Sequence, residues 1–166
     1  IMMNEIKILW TDDEIELLKP HIIFLKDKGY DVQTATSGDE ALSTIKKEYF
    51  DVVFLDENMP GLSGLETLAE LKVLRPSLPI VMITKNEQEH TMEEALGSSI
   101  ADYLIKPVNP HQILLCLKKI FENRDLISKK AISDYQQDFR NISMAINEAN
   151  DFTAWVDIYK RIIRWE

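Results

Sequence analysis

Asp51-Val52-Val53-Phe54-Leu55-Asp56 sets four consecutive apolar side chains between two carboxylates. Alternating apolar and polar residues would mark a strand with one wet face. An unbroken apolar run of this length instead marks a strand covered on both faces, as in a parallel sheet. Ile6-Lys7-Ile8-Leu9-Trp10 and Ile80-Val81-Met82-Ile83 repeat the signal, and residues 30–35 and 102–105 add two further short runs. Helical patterns fill the intervals. Ile15, Leu18, Ile22 and Leu25 share one helical face, closed by Gly29. Ser37-Gly38-Asp39-Glu40 is a capping box that opens a second helix with Ala41, Leu42 and Ile45 inward, and Leu65, Leu68 and Leu71 mark a third. Residues 87–97 form a weakly apolar fourth, and Asn109-Pro110 opens a fifth with the stripe Ile113, Leu114, Leu117, Ile120 and Phe121. Strand and helix alternating in this way require parallel pairing through right-handed crossovers. Residues 1–123 are therefore expected to form a three-layer, doubly wound α/β domain.

Residues 124–166 read as a small all-helical appendage. Ser133-Asp134-Tyr135-Gln136 resembles another capping box, and Tyr135, Phe139, Ile142, Ile146 and Ala149 follow at spacings of four and three. A break at Asn150-Asp151 separates this helix from one carrying Phe152, Trp155, Val156, Tyr159, Ile162 and Ile163, so a hairpin or small bundle is expected. The Trp155, Tyr159 and Ile162 stripe reads as a contact between helices of this chain rather than as a cofactor site. Ile1 ahead of Met2, and the stop at Trp165-Glu166 without a capping signal, point to a piece of a longer chain.

Composition narrows the function classes. With 45% apolar residues, 5 Gly and 6 Pro in 166 residues, the chain is expected to be globular rather than disordered or collagen-like. No apolar run approaches the roughly 18 residues of a membrane span, and no secretory leader pattern is seen. The lone Cys116 sits in an apolar run and reads as a core residue of a reducing, cytoplasmic protein. Residues 1–123 hold 21 acids and 12 bases, and residues 124–166 hold seven of each, which places the whole net charge of −9 in the first part. Neither part offers the basic face that a phosphate backbone requires, so direct nucleic-acid binding is not expected despite the small cluster Lys160, Arg161 and Arg164.

In an open parallel sheet the functional crevice lies beyond the carboxyl ends of the strands. Here the first strand runs into Asp12-Asp13, the third into Asp56, the fourth into Thr84 and the fifth into Lys106. Taken alone, Asp12-Asp13 would read as a helix cap and Lys106-Pro107 as a turn. Gathered on one sheet edge, they read as a site. Three carboxylates brought together repel, and Mg²⁺, which needs few protein ligands, relieves the repulsion while orienting an incoming phosphoryl group. Lys106 then offers a cation to phosphoryl oxygens, Thr84 a hydroxyl, and Asp56 a carboxylate nucleophile able to form an acyl phosphate. His21, His90 and His111 have no metal-binding spacing and are expected to face solvent on helices.

Thr11-Asp12-Asp13-Glu14, Phe54-Leu55-Asp56-Glu57-Asn58-Met59-Pro60-Gly61, Ile83-Thr84 and Tyr103-Leu104-Ile105-Lys106-Pro107 together resemble the receiver domain of bacterial response regulators. The resemblance covers residues 6–123 and implies a flavodoxin-like five-stranded sheet of order 2-1-3-4-5. It also implies that Asp56 accepts phosphate from a sensor histidine kinase, and that Asp13, Asp56 and the Asn58 backbone carbonyl bind Mg²⁺ with Asp12 acting through water. Thr84 and Tyr103 look like the switch pair, and Lys106 like the phosphate-binding lysine ahead of a cis peptide to Pro107. A downstream protein partner or a homodimer would then use the fourth helix, the fifth strand and the appendage. The whole chain further resembles the N-terminal part of PorX-type regulators of type IX protein secretion, which carry a helical linker and a C-terminal alkaline-phosphatase-like (PglZ) domain. That likeness rests on residues 56–61, 101–110 and Ser133-Asp134-Tyr135-Gln136-Gln137.

The chain departs from the receiver pattern in three places. Lys85 stands where a small residue usually follows the threonine, with consequences for access to the phosphoryl group. The run Ser98-Ser99-Ile100-Ala101-Asp102 is two residues longer than usual, and Val108 replaces a frequent aromatic, both on the face expected to dimerise. Two rival readings stay open: a pseudo-receiver that binds partners without phosphorylation, and an Asp-nucleophile phosphatase. The second is disfavoured by Asn58, which stands where such enzymes place a second Asp. No separate enzyme activity is expected beyond the receiver's own phosphoryl transfer and autodephosphorylation.

Overall fold

The computed structural model describes residues 5–85, 99–148, 156 and 159–162. Five parallel strands, β1 (Lys7–Thr11), β2 (Asp31–Ala35), β3 (Val52–Asp56), β4 (Ile80–Thr84) and β5 (Asp102–Ile105), form one sheet of order β2-β1-β3-β4-β5. The helices are α1 (Lys19–Asp27), α2 (Gly38–Lys47), α3 (Gly64–Leu74) and α4 (Pro110–Glu148). The expected doubly wound fold is thus present, with β3 between β1 and β4. Trp10 pairs with Phe54 and Asp56 with Ile83 in the register. The helix expected at 87–97 and the break at Asn150-Asp151 lie outside the described residues.

Period-two alternation sorts the buried strand residues into two cores. Leu9, Val53, Leu55, Ile80 and Met82 join Ala41, Leu42, Ile45, Leu68 and Leu71 of α2 and α3 in one cluster. Ile8, Trp10, Phe54, Val81 and Ile83 point the other way, and Trp10 meets His21 of α1 edge-on. Ile113, Cys116, Leu117 and Ile120 of α4 are buried as well. Each fully buried aliphatic or aromatic side chain contributes about 1.5–3 kcal/mol, enough to hold the strands whatever their individual propensity. The Cys116 thiol is a core group as expected, pushed up to about 12 by burial and then by Asp102.

Local chemistry sets the helix boundaries. Ser37 Oγ accepts the Glu40 amide at 3.1 Å, while the Glu40 carboxylate reaches one residue further back than a capping box requires, accepting the Thr36 amide at 2.7 Å. Gly29, with φ of 92°, ends α1: its amide donates to the Lys26 carbonyl and the Tyr30 amide to that of Leu25, a Schellman pair.

The first helix does not start as its apolar pattern suggests. Ile15–Leu18 is a 3₁₀ turn, and α1 proper begins only at Lys19. Pro20 has no amide to give to the Glu16 carbonyl, so the α-helical ladder cannot extend back through Ile15. Leu18 and Ile22 are accordingly only partly buried, and Ile15 and Leu25 alone of the four are in the core.

Ser133-Asp134-Tyr135-Gln136, read above as a capping box, starts no helix. Ser133 lies inside α4, which runs without interruption for 39 residues. Neither Gly nor Pro occurs between 111 and 148, and the Ser-to-Gln spacing of a capping box is also an ordinary one-turn spacing inside a helix. The chain divides into two compact units, Ile1–Ile120 and Phe121–Glu166. Within the second, Leu126, Ile127, Ile132, Tyr135 and Phe139 are exposed. Among the described residues no helix is long and apolar enough to cross a membrane.

Candidate functional site

The carboxyl edge of the sheet gathers the polar residues that the strands deliver. Asp12 follows β1 directly and is 1% exposed, held by its amide to the Ala35 carbonyl at the end of β2. Its Oδ1 accepts the Glu14 amide at 2.8 Å, which fixes the loop that carries Asp13. Asp56 ends β3 at 3% exposure and accepts the Asn58 amide on Oδ1 at 3.3 Å. Carboxylate oxygens of Asp12, Asp13 and Asp56 lie within 4.8 Å of one another, with Asp13 open to solvent. From the loop after β5, Lys106 Nζ donates to Asp12 Oδ2 at 2.9 Å and stands 3.3 Å from Asp56 Oδ2. Lys106 is held by its own amide to the Thr84 carbonyl at 2.6 Å, and its peptide bond to Pro107 is cis.

The charge balance at this edge is uneven. Burial, then repulsion from Asp12, pushes the Asp56 carboxyl above its usual range, and the Lys106 cation opposes the shift without cancelling it. Burial alone would lower the Lys106 ammonium, but its hydrogen bond to Asp12 and the charge of Asp56 outweigh that and raise it. Three hard oxygen donors facing one open side, with one cation among them, are the chemistry that accepts a small divalent ion. The donor set fits such an ion: Asp13 is exposed, and among the described residues Asp56 Oδ1 is engaged by a main-chain amide at the long end of the hydrogen-bond range.

Thr84 is fully buried at the end of β4. Tyr103 pairs with Met82 on the neighbouring strand, two residues before Thr84, so Thr84 and Tyr103 occupy the same face of the sheet. Tyr103 packs partly buried against the α2–α3 side of the core.

Several features escape a reading of the sequence. Gly64 opens α3 directly against β3: its amide donates to the Glu57 carbonyl at 3.0 Å, and a Cβ there would collide with the Asp56 carbonyl oxygen and Glu57 Cα. Ser63 caps the helix just before it, its Oγ accepting the Glu66 amide at 3.2 Å. His21 is not solvent-facing. Its Nε2 is 2.7 Å from the Val108 carbonyl oxygen and its ring meets Trp10, because the turn preceding α1 rotates His21 toward the sheet. His111 is exposed as expected, and His90 lies outside the described residues. Val108 is buried rather than displayed on a dimerisation face, and Ile100 of the lengthened run packs against the core. Lys85 reaches Glu14 at 3.8 Å, and both line a cavity of about 390 Å³ with Asp12, Lys106, Leu17 and Val108.

Comparison with known proteins agrees with this geometry. Residues 8–118 match the family described as the response regulator receiver domain, and residues 125–166 match the PorX response regulator linker domain. The chain is 34% identical over 126 residues to the alginate biosynthesis transcriptional regulatory protein AlgB of Pseudomonas putida, which covers 76% of this chain and 28% of that protein. It is 36% identical over 116 residues to the transcriptional regulatory protein ZraR of Klebsiella oxytoca, covering 70% of this chain and 26% of the relative. The chain thus spans little more than a quarter of these relatives. Among solved structures, the chemotaxis protein CheY4 of Vibrio cholerae superposes with a TM-score of 0.63 at 32% identity, covering 70% of this chain and 98% of that one. The response regulator TrrA of Thermotoga maritima, solved in complex with Mg²⁺ and BeF, superposes with a TM-score of 0.63 at 29% identity, over 69% of this chain and 98% of its own.

Proposed function

The chain belongs to the response regulator receiver domain family, and from that premise we propose that it is a phosphorylation switch whose acceptor is the Asp56 carboxylate. The observation that carries this reading is the position of Lys106 Nζ, 2.9 Å from Asp12 and 3.3 Å from Asp56, beside the exposed Asp13. The receiver spans residues 1–123. The donor is the phosphohistidine of a sensor histidine kinase. As an Asp56 oxygen bonds to phosphorus, the phosphorus–nitrogen bond breaks and the imidazole leaves with the electron pair. Asp13, Asp56 and the Asn58 carbonyl would hold Mg²⁺, with Asp12 acting through water, and the bound ion would supply charge neutralisation for the carboxylates and the incoming phosphoryl group.

The remaining work falls to side chains already in place. Lys106 exchanges its contact with Asp56 for a phosphoryl oxygen while staying bonded to Asp12, so the added one to two negative charges meet a fixed cation. The raised Asp56 carboxyl must be ionised to attack, and the Lys106 ammonium favours that form. Thr84 swings its hydroxyl toward the phosphoryl group, and Tyr103, on the same face, turns into the space released. The affected face lies around β5.

Residues 124–166 act as the linker of a PorX-type regulator, a reading supported by the matching linker family. The chain is then a cytoplasmic piece of a longer protein that ends in a phosphatase-like domain and controls type IX secretion. It passes the change to a downstream protein or a second copy of itself. Incubation with acetyl phosphate and Mg²⁺ followed by intact-mass measurement tests the switch chemistry. One phosphoryl adduct that requires Mg²⁺ and is absent from Asp56→Asn is expected. Failure to form an adduct under rapid quench would favour a receiver-like module that binds partners without phosphorylation.

A further inference from the structure

Lys85 and Glu14 stand at the ends of two strands that are not neighbours. β3 separates β1 from β4, so the residues just past β1 and β4 are two strand spacings apart, about 10 Å, with Asp56 between them at the end of β3. Lys85, immediately after β4, and Glu14, three residues past β1, close that gap with their side chains, Nζ to Oε2 at 3.8 Å. Both line the same cavity as Asp12 and Lys106, so the bridge forms beside the acidic site and not on a remote surface. One end is anchored to the site itself: the Glu14 amide donates to Asp12 Oδ1, and the Glu14 carbonyl accepts the Leu17 amide at 2.9 Å.

We infer that the Lys85–Glu14 ion pair is a strap across the phosphoryl site, and that it slows the hydrolysis of the acyl phosphate on Asp56. The inference rests on Asp56 being the acceptor. In that hydrolysis a water oxygen bonds to phosphorus, the bond from phosphorus to the Asp56 oxygen breaks, and inorganic phosphate leaves with the restored carboxylate behind it. The water must reach phosphorus opposite the Asp56 oxygen, from the mouth of the site. A closed strap obstructs that approach. Both partners are more than half exposed, at 64% and 53%, so the strap opens readily, and an exposed pair of this kind biases closed over open by no more than about fivefold. The gating effect is bounded by that ratio. Lys85 is a positioning residue here and makes no bond to the reacting atoms.

The test is the decay of the phosphorylated protein after removal of acetyl phosphate, followed by intact mass in wild type, Lys85→Ala, Glu14→Ala and the exchanged pair Lys85→Glu with Glu14→Lys. Both single variants are expected to lose phosphate about three to five times faster, and the exchanged pair to return toward the wild-type rate. Raising the salt concentration should speed decay in the wild type and leave the single variants unchanged, because an exposed pair is screened and an absent one is not. Equal decay in wild type and both single variants overturns the strap. So does faster decay in Lys85→Ala with unchanged or slower decay in Glu14→Ala, since Lys85 would then act alone. A wild-type protein that forms no adduct overturns the acceptor reading instead, a result that equal decay rates do not mimic.

Discussion

Lys106 reaches back 94 residues along the chain to place its ammonium 2.9 Å from the buried Asp12 carboxylate. This contact ties the loop after β5 to the loop after β1, although β5 and β1 are separated in the sheet by β3 and β4. Lys106→Ala would leave Asp12 and Asp56 facing each other in a desolvated crevice with no cation. A loss of about 2–3 kcal/mol is expected from urea unfolding at neutral pH. The Lys106 ammonium is raised in the folded state, so its contribution is complete below the ordinary value of 10.5 and fades as pH climbs through the higher folded value. The stability gap between wild type and variant should therefore narrow on strongly alkaline titration, and also in acid, where the facing carboxylates are neutralised.

Asp56→Asn should act in the opposite direction. The ionised Asp56 carboxylate bears the cost of burial and of Asp12 repulsion, which an amide of the same shape escapes. A gain of about 1 kcal/mol, or about 3 °C in the unfolding midpoint, is expected at neutral pH. For a carboxyl raised above 3.8, the penalty is full above the folded value and absent below the unfolded one. The two melting curves should converge as pH falls through the carboxylate range, and a gap that widened there would contradict the assignment.

Gly64→Ala probes the seating of α3 on the end of β3. The new methyl would meet the Asp56 carbonyl oxygen and Glu57 Cα, both main-chain atoms that cannot swing aside. Overpacking of this kind costs about 1–3 kcal/mol. Because the displaced carbonyl belongs to Asp56 itself, the rate of adduct formation should fall together with thermal stability.

Asp13→Asn tests the cation. Asp13 is the exposed member of the carboxylate cluster and is expected to be a direct Mg²⁺ ligand. Its neutralisation should weaken Mg²⁺ binding about tenfold or more in a calorimetric titration, with little change in stability because the side chain is already solvated. Unchanged affinity would remove Asp13 from the metal site.

The strand ends were legible in the sequence because burial on both faces leaves an unmistakable apolar run, and each run here stops at a polar residue. Val52-Val53-Phe54-Leu55 ahead of Asp56 and Ile80 to Ile83 ahead of Thr84 place those residues on the carboxyl edge without further information. Less visible were contacts between residues distant in sequence that share no periodic pattern. The bond from His21 to the Val108 carbonyl depends on the rotation of α1 after a 3₁₀ turn, which hydrophobic spacing does not encode. The approach of Gly64 to Asp56 is a matter of main-chain distance, and a glycine next to a capping serine reads as a loop residue until the strand it faces is known. Ser133 shows the converse failure: a local capping pattern with nothing to break the helix around it is overridden by the helix.

A phosphoryl group on Asp56 is revealed by reducing the phosphorylated protein with borohydride, which converts an aspartyl phosphate to homoserine, and sequencing the peptides by mass spectrometry. Homoserine at position 56, formed only when Mg²⁺ was present during phosphorylation, is the predicted result. Homoserine at another aspartate, or a phosphorylated protein with position 56 unreduced, would contradict it.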